Sequence, residues 1–430
     1  MSILYKVFSY SLLVAALSFF PVHAKHITQV IEDFEPYAEK TLADWNIPGA
    51  AIAVVYQDNI VLLRGFGVRS LKTQEPVDTR TVFRIGSLSK GFAADLTGMM
   101  VERGYLDWDD KVVSYLPNVK LKTLKNTQNL TIRHVLSHQT GLPSHSYDNL
   151  IEAHRPYPDI ILSLHRLPLN CSVGQCYNYQ NAAYSLSGNV LEVATGQNYN
   201  TLLKRHIFQP LRMHDASTTY EELIANPNHA ECHVGGGGRF NTCKIGKAYY
   251  SVAPAGGINA SINDMAQWLR AQMGGHPNII SPHVLKTVQT PHVSTPSELR
   301  GHAAWRRDRL RAAHYGLGWR IYNYAGTPLV FHGGALRGIS SAIAFIPEEQ
   351  VGIVILTNSN ASIPGLLVAR FYDLYLNIPE KDWATPLLNA QKQYAKNAGA
   401  SKGKGKAKSK PKPQPKAKKA KGGKGKVKKG

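Results

Sequence analysis

The pattern of hydrophobic and polar positions predicts a helix followed by a β-hairpin at the start of the chain. Residues 26–46 carry apolar side chains at helical spacing, and Pro48-Gly49 ends the pattern. Two short apolar runs follow, 50–55 and 60–63, with Asp58-Asn59 between them. Apolar runs joined by such a turn sequence are typical of a β-hairpin.

Strand patterns return near the other end of the chain, where turn residues such as Pro347 separate short apolar segments. The middle of the chain, 87–289, has helical stretches broken by glycine and proline loops. We therefore expect an α+β (α/β) fold in which both chain ends build one antiparallel sheet flanked by helices, with a mostly helical region inserted. The second half is predicted to contain strands at 316–322, 329–332, 340–346 and 351–357 and a helix at 364–376.

The N-terminus has the features of a secretory signal. Lys6 precedes an apolar run over 7–20, and Val22-His23-Ala24 supplies the small-residue pattern of a cleavage site after Ala24. The run is short for a membrane span, although an uncleaved anchor remains the alternative. We expect a periplasmic or secreted protein with a signal at 1–24 and a folded domain over 25–385.

The charge is concentrated at the other end. A hydrophobic content of 43% excludes a wholly disordered chain. Fourteen lysines and no acidic residue lie in 401–430, which leaves only +7 of the net charge of +21 for the rest. The segment 386–430 is therefore predicted to be a disordered tail. Its expected partner is an anionic envelope polymer, bound through charge alone.

The four cysteines all lie in the part predicted to be exported, where thiols are oxidised. Cys171 with Cys176 and Cys232 with Cys243 is the simplest of three possible pairings. A zinc site is the rival interpretation, but these spacings are not the usual C-x-x-C.

Ser87 and Lys90 are the first candidates for chemistry. They stand three residues apart in FRIGSLSKGF, at a predicted helix start, so both side chains lie on one helical face. A serine hydroxyl becomes a good nucleophile when a nearby base takes its proton, and a lysine with a lowered pKa is such a base. The same S-x-x-K spacing occurs in the tail at Ser401 and Ser409, without any apolar segment to support it.

Two further elements stand out. Tyr179-Gln180-Asn181 precedes a helical stretch and offers a phenol for proton transfer with a nearby amide. His332-Gly333-Gly334 lies on a predicted strand, where paired glycines allow another backbone to approach closely. Taken one by one, a buried Tyr, a surface Asn and a His at a strand end are ordinary structural residues.

Together these motifs resemble the serine β-lactamase and penicillin-binding-protein superfamily, in its class C, DD-peptidase and esterase branch. That family has S-x-x-K on a helix, then Y-x-N, then K-T-G or H-x-G on a strand, and the three motifs occur here in that order. The resemblance covers about 33–375 and includes three flanking stretches: TIRHVLSHQTGLP at 131–143, AGGINASINDMAQWL at 255–269 and IPEEQVGIVILTN at 346–358.

The resemblance implies a β-lactamase/transpeptidase-like fold and an acyl-enzyme mechanism without metal or cofactor. Ser87 would attack a carbonyl, with Lys90 and Tyr179 sharing the role of general base. His332 would polarise Tyr179 or the substrate, and Asn181 would orient the substrate amide.

The glycine motif would complete the oxyanion site. The backbone amides of Ser87 and Ala335 would hold the oxyanion, next to Gly333 and Gly334. Arg337, five residues after His332, is a candidate receptor for a substrate carboxylate, although an exposed strand-end Arg is commonly just solvated.

One departure bears on the substrate. Class C β-lactamases usually have Lys where this chain has His332, and H-x-G is more frequent among D-amino-acid peptidases and esterases. We therefore expect a serine hydrolase acting on small peptides, amides or esters, with peptidoglycan stem peptides and β-lactams among the candidate substrates. The alternative is a catalytically weak penicillin-binding or envelope-binding protein tethered by its basic tail.

Overall fold

The computed structural model of the protein describes residues 26–301 and 303–394. The predicted signal at 1–24 and the lysine-rich residues from 401 onward lie outside the described residues. Residues 384–394 form a helix, so the described fold extends past the boundary predicted at 385. Within the described ranges, no helix has the length and apolar character needed to cross a bilayer.

In the part of the chain that the structure describes, the fold combines twelve strands with sixteen α-helices, the last of which is the helix over 384–394. The strands are β1 Gly49–Tyr56, β2 Asn59–Gly67, β3 Val82–Arg84, β4 Cys232–Gly236, β5 Arg239–Cys243, β6 Asn259–Ser261, β7 Val293–Ser294, β8 Leu310–Tyr315, β9 Arg320–Tyr324, β10 Thr327–Leu336, β11 Ile339–Ile346 and β12 Val351–Thr357. The helices are α1 Ile27–Asp44, α2 Ser89–Glu102, α3 Val112–Tyr115, α4 Leu124–Asn129, α5 Ile132–Leu136, α6 Asp148–Glu152, α7 Tyr157–Leu162, α8 Leu186–Thr195, α9 Tyr199–Leu203, α10 Tyr220–Ala225, α11 Ala253–Gly256, α12 Ile262–Gln272, α13 Pro282–Val288, α14 Ala304–Arg309 and α15 Ile363–Tyr375. Short 3₁₀ segments occupy Gly86–Leu88, Leu164–Arg166, Ala248–Val252, Pro296–Arg300 and Pro347–Glu349, and Lys204–Phe208 is a π-helix.

Both ends of the described chain build one sheet, as the sequence predicts. The main sheet has the strand order β2-β1-β12-β11-β10-β9-β8-β7. Its pairs are antiparallel, and β1 lies beside β12 with Ala50 opposite Thr357. The predicted α+β architecture, with helices on the sheet and a mostly helical insertion, is therefore confirmed.

The edge of the sheet differs from the prediction. The segment predicted as a strand at 316–322 begins only at Arg320, because Gly318 has a left-handed φ of +76° that interrupts the extended chain. The strand β8 precedes this turn and was not predicted, since an arginine and a histidine break its apolar pattern. The insertion also contains two small sheets, β3 with β6 and β4 with β5.

The strand β1, second from one edge of the sheet, is buried on both faces and separates two hydrophobic cores. Its residues alternate, so that Ala51, Ala53 and Val55 face the helical insertion while Ile52 and Val54 face the opposite core. The opposite core is covered by α1 and α15. This arrangement explains why the β1 sequence reads as a continuous apolar run rather than an alternating one.

The helix α2 crosses the core of the insertion, and every residue from Ser89 to Met100 is buried. Gly91 allows two indole rings to approach, because a Cβ there would lie 2.7 Å from Trp319 and 2.8 Å from Trp268. Phe92 stacks on Trp268 with ring centroids 3.7 Å apart. The start of α2 is thereby fixed beside the sheet.

Both predicted disulfides are present. Cys171 is bonded to Cys176, and Cys232 to Cys243, so no described cysteine is free to bind zinc. The first bond closes a short loop that ends just before Tyr179. Asn178 donates from Nδ2 to Cys176 Sγ at 3.1 Å, which links the loop to the segment carrying that tyrosine.

We predict that the paired substitution Cys171→Ser and Cys176→Ser lowers turnover more than it lowers stability. A loop this short contributes about 2 kcal/mol through the entropy of the unfolded chain, whereas its loss frees the segment that presents Tyr179. Thermal melting and turnover of a small ester, measured on the same preparation, check this expectation. Unchanged turnover, or free thiols at both positions in the wild type, would contradict it.

The helix α2 also carries a buried carboxyl group, that of Asp95. Asp95 is fully buried, and its Oδ2 accepts from Trp268 Nε1 at 3.2 Å and from Gln272 Nε2 at 2.6 Å. Its other oxygen has no hydrogen-bond partner. Burial is the largest effect on this carboxyl and raises its pKa to about 7, although the two hydrogen bonds oppose the shift.

We predict that Asp95→Asn removes part of the pH dependence of stability. The folded state binds a proton that the unfolded state releases between about pH 4 and pH 7, so stability falls as the pH rises through this window. From pH 5 to pH 8 the wild type should therefore lose roughly 2 to 3 kcal/mol more than the variant. Urea unfolding at both pH values measures the difference. Asp159→Asn, an exposed control on α7, should follow the wild type, and equal pH dependence in all three proteins would refute the prediction.

Candidate active site

The turn before α2 exposes one hydroxyl. Ser87 is partly accessible, whereas all its neighbours within 81–90 are buried. Gly86 has a left-handed φ of +55°, which turns the chain from β3 into the 3₁₀ segment that carries Ser87. Ser89 holds this turn, because its Oγ donates to Gly86 O at 2.7 Å and accepts from Ile258 N at 3.1 Å.

The Lys90 amine lies next to this hydroxyl. The side chain is fully buried, with Nζ 3.4 Å from Ser87 Oγ. Nζ donates to Asn181 Oδ1 at 2.8 Å and to Ala255 O at 2.9 Å. Burial lowers the pKa of Lys90 well below its ordinary value. A neutral amine has two N–H donors, which these two oxygens occupy, and its lone pair is left for the Ser87 proton.

The Tyr179 phenol completes this group. Lys90 Nζ lies 4.6 Å from the centroid of its ring, and its hydroxyl is hydrogen-bonded to Ser87. Burial raises the pKa of Tyr179 above its ordinary value, so the phenol stays protonated at neutral pH. Ser87, Lys90 and Tyr179 are thus brought together as the sequence predicts.

The Asn181 amide is held at both ends. Oδ1 faces Lys90, and Nδ2 donates to Asp148 Oδ2 at 2.8 Å. The resemblance implies that this amide orients a substrate. In the structure both ends of the amide contact side chains of the protein, and the role in orienting a substrate stays a prediction.

His332 is buried behind the tyrosine rather than in contact with its hydroxyl. Its Nε2 is 3.0 Å from Tyr315 Oη, and Nδ1 is 2.9 Å from Gly333 O. A carbonyl only accepts, so Nδ1 carries the hydrogen and Nε2 accepts from Tyr315. Burial, together with the nearby Arg320 charge, lowers the pKa of His332 well below its ordinary value. The imidazole is therefore neutral, and its ring lies 6.4 Å from that of Tyr179.

The glycine motif brings β10 against the serine turn. A Cβ on Gly334 would lie 2.3 Å from Ile85 O, and one on Gly86 would lie 3.1 Å from Ala335 N. Ser341, which pairs with Gly334 across β10 and β11, donates from Oγ to Ile85 O at 2.8 Å. This packing keeps the Ala335 amide close to the Ser87 turn, as the predicted oxyanion pair requires.

Alternate residues of β10 face outward beside this turn. Ala335 and Arg337 are exposed and Gly333 is partly exposed, whereas His332 and Gly334 are buried. Arg337 lies at the end of the strand, where the chain turns into β11. It is exposed in this turn, two residues after the predicted oxyanion residue Ala335.

Two residues of the site escaped the sequence analysis. Tyr315 is fully buried against His332, and Arg320 places its guanidinium 5.5 Å from the Tyr179 ring centroid. Arg320 also forms an ion pair with Glu298 and is only 15% exposed. Both flank the sequence GLGW at 316–319, where two glycines between large apolar residues were the one available indication of a constrained turn.

The chain is similar to known proteins over most of its length. Unguisins hydrolase ungD of Aspergillus violaceofuscus is 28% identical over 396 residues, which cover 85% of this chain and 69% of the relative. Protein flp of Staphylococcus aureus is 24% identical over 366 residues, covering 84% and 70% respectively.

Two solved structures share the fold. The octameric penicillin-binding protein homologue from Pyrococcus abyssi matches with a TM-score of 0.71 and 25% identity, over 81% of this chain and 77% of its own. EstCE1, a hydrolase with promiscuous acyltransferase activity, matches with a TM-score of 0.67 and 19% identity, over 81% of this chain and 100% of its own. The fold is therefore β-lactamase/transpeptidase-like.

A sequence model of the family described as Beta-lactamase matches residues 34–377. This range contains all three motifs of the site and both partners of each disulfide. The match covers most of the chain, and we conclude that the protein belongs to the Beta-lactamase family.

Proposed function

We propose that this protein is an exported serine hydrolase that forms an acyl-enzyme on Ser87 and acts on D-amino-acid peptides, amides or esters. The observation that carries the proposal is the contact between Ser87 Oγ and the buried amine of Lys90. A neutral amine whose hydrogens are both engaged is placed to accept a proton, which is the requirement for an activated serine. The two disulfides and the predicted signal support export.

The first step forms the bond from Ser87 Oγ to the substrate carbonyl carbon. The hydroxyl proton moves to Lys90 Nζ, and the carbonyl electrons move onto oxygen. The Ser87 and Ala335 amides would donate to this oxyanion, where the charge develops. Asn181 and Ala255 then accept from the resulting ammonium.

The second step breaks the bond to the leaving group. Tyr179 keeps its proton at neutral pH, so it serves best as the acid that protonates the leaving nitrogen or oxygen. Lys90 can return a proton to the phenolate that results. Water then attacks the acyl-enzyme along the reverse route, which restores Ser87 and releases the acid.

The exposed face of β10 favours a substrate with a carboxylate. Arg337 makes no ion pair with any residue in the described ranges, and it is exposed in the turn two residues after Ala335. His332 is neutral and supplies no positive charge. A free carboxylate next to the scissile bond, as in a D-alanyl-D-alanine terminus, would find its cation in Arg337.

We predict that Ser87→Ala abolishes labelling by a fluorophosphonate and lowers ester turnover by at least about 1,000-fold. The variant should fold normally, because one partly exposed hydroxyl contributes little to stability. Mass spectrometry of the wild type should find the adduct on the peptide that contains Ser87. The exposed residue Ser144 provides the matched control, Ser144→Ala, which should label like the wild type. An adduct on another serine would refute the assignment.

We predict that Arg337→Gln raises KM roughly 5- to 10-fold for a D-alanyl-D-alanine peptide with a free carboxylate, because one charge-assisted contact is lost. The corresponding C-terminal amide should be affected little, and kcat should stay near the wild-type value for both. Arg311→Gln, an exposed control on β8, should change neither substrate. Equal effects on the peptide with a free carboxylate and on its C-terminal amide would show that Arg337 does not bind the substrate carboxylate.

A further inference from the structure

The hydrogen bonds of Lys90 continue beyond Asn181 to a carboxylate that the catalytic steps do not use. Asp148 Oδ2 accepts from Asn181 Nδ2 at 2.8 Å, and His145 Nδ1 lies 2.8 Å from the same oxygen. The His145 backbone N–H also donates to Tyr179 O at 2.8 Å. One chain of contacts thus leads from the catalytic amine to a histidine that is 61% exposed.

The carboxylate decides which way the Asn181 amide faces. An ionised carboxylate only accepts hydrogen bonds, so the NH₂ end of the amide has to point toward Asp148. The carbonyl end is then directed at Lys90, where it accepts an N–H. With the amide reversed, the NH₂ group would face the amine and compete for its lone pair, which is the lone pair needed to take the Ser87 proton.

Asp148 is held in place for this role. It is the first residue of α6, and its side chain is 17% exposed. Oδ2 has the two partners described above, whereas Oδ1 is buried without a hydrogen-bond partner. A carboxylate that leaves one buried oxygen unsatisfied costs stability, so its position needs an explanation beyond packing.

We propose that Asp148 is a positioning residue that acts on Lys90 through Asn181, by fixing the direction of the amide and by placing one negative charge near the amine. The inference rests on the proposed role of Lys90 as the base for Ser87. Asp148 itself contacts neither Ser87 nor the reacting atoms.

The negative charge of Asp148 shifts the pKa of Lys90 in one direction. The titratable groups that face Lys90 are Asp148, Arg320, Tyr179, Tyr184, His138 and His332. After burial, the negative charge of Asp148 is the largest effect on Lys90, and it raises the pKa of the amine, whereas Arg320 lowers it. Tyr249 and His145 also lie near the carboxylate. Loss of the carboxylate charge should therefore make Lys90 easier to deprotonate.

The test is the pH profile of the rate at which a fluorophosphonate acylates Ser87. Asp148→Asn keeps the size of the side chain but removes its charge. The amide can donate hydrogen bonds as well as accept them. The maximal rate of this variant should fall roughly 10-fold, less than the loss of a direct acid or base. The acid limb of the profile, where the rate falls because Lys90 becomes protonated, should shift to lower pH by on the order of one unit. Protonated Lys90 is then no longer stabilised by a nearby negative charge.

Two variants separate charge from general damage. Asp148→Glu retains the charge but shifts the oxygen, so its maximal rate should fall while its acid limb stays at the wild-type pH. Glu152→Gln removes an exposed charge from the same helix and should leave both quantities unchanged. If Asp148→Asn does not fold, as judged by thermal melting, Asp148→Ser replaces it with the same expected shift.

Each outcome decides one question. If the wild type is not acylated at Ser87, the proposed function fails. If the wild type is acylated but the neutral variants at 148 have the same acid limb as the wild type, the inference about Asp148 is overturned. A uniform loss of rate without a change of the limb has the same consequence, because a purely structural role would produce it.

Discussion

The site depends on the burial of one lysine. Lys90 lies on a helix that has no exposed face over its first three turns, and an ammonium there would lose its hydration without a directly contacting carboxylate. The neutral amine avoids this cost, and two carbonyl oxygens satisfy its hydrogens. The same packing that makes α2 a core helix therefore converts an ordinary cation into a base beside Ser87.

Burial also gives Lys90 and Tyr179 different parts in the proposed proton transfers. Burial acts in opposite directions on an amine and a phenol, because it disfavours the charged form of each. It leaves Lys90 able to accept a proton and Tyr179 able to donate one. The sequence resemblance implies a shared role as base, whereas the opposite pKa shifts favour Lys90 as the base and Tyr179 as the acid of the proposed mechanism. The neutral His332 accepts a hydrogen bond from Tyr315, and its role in polarising Tyr179 or the substrate stays a prediction.

The sequence predicts the motifs well because each is local. Ser87 with Lys90 depends on helical spacing, and the apolar runs of β1 and β12 identify two neighbouring buried strands of the sheet. The residues that escaped prediction depend on contacts between distant segments. Asp148 reaches Lys90 only through Asn181, and Tyr315 reaches His332 only because β8 folds beside β9 after the turn at Gly318. The elements that carry these two residues, α6 and β8, are short and have no clear periodic pattern that would reveal such a partner.

The residue at the first position of the glycine motif decides which charge this strand brings to the site. A lysine there would bring a permanent cation to the strand that faces the substrate, whereas His332 is buried and neutral. The cation that remains inside the site is Arg320, and Glu298 compensates part of its charge. In the proposed function, positive charge available to a substrate would then come from the exposed rim of the site, where Arg337 lies in the turn after β10. A carboxylate held at the rim interacts in a more hydrated setting than one bound to a buried lysine, so this site should discriminate less strongly for anionic substrates and accept neutral esters more readily.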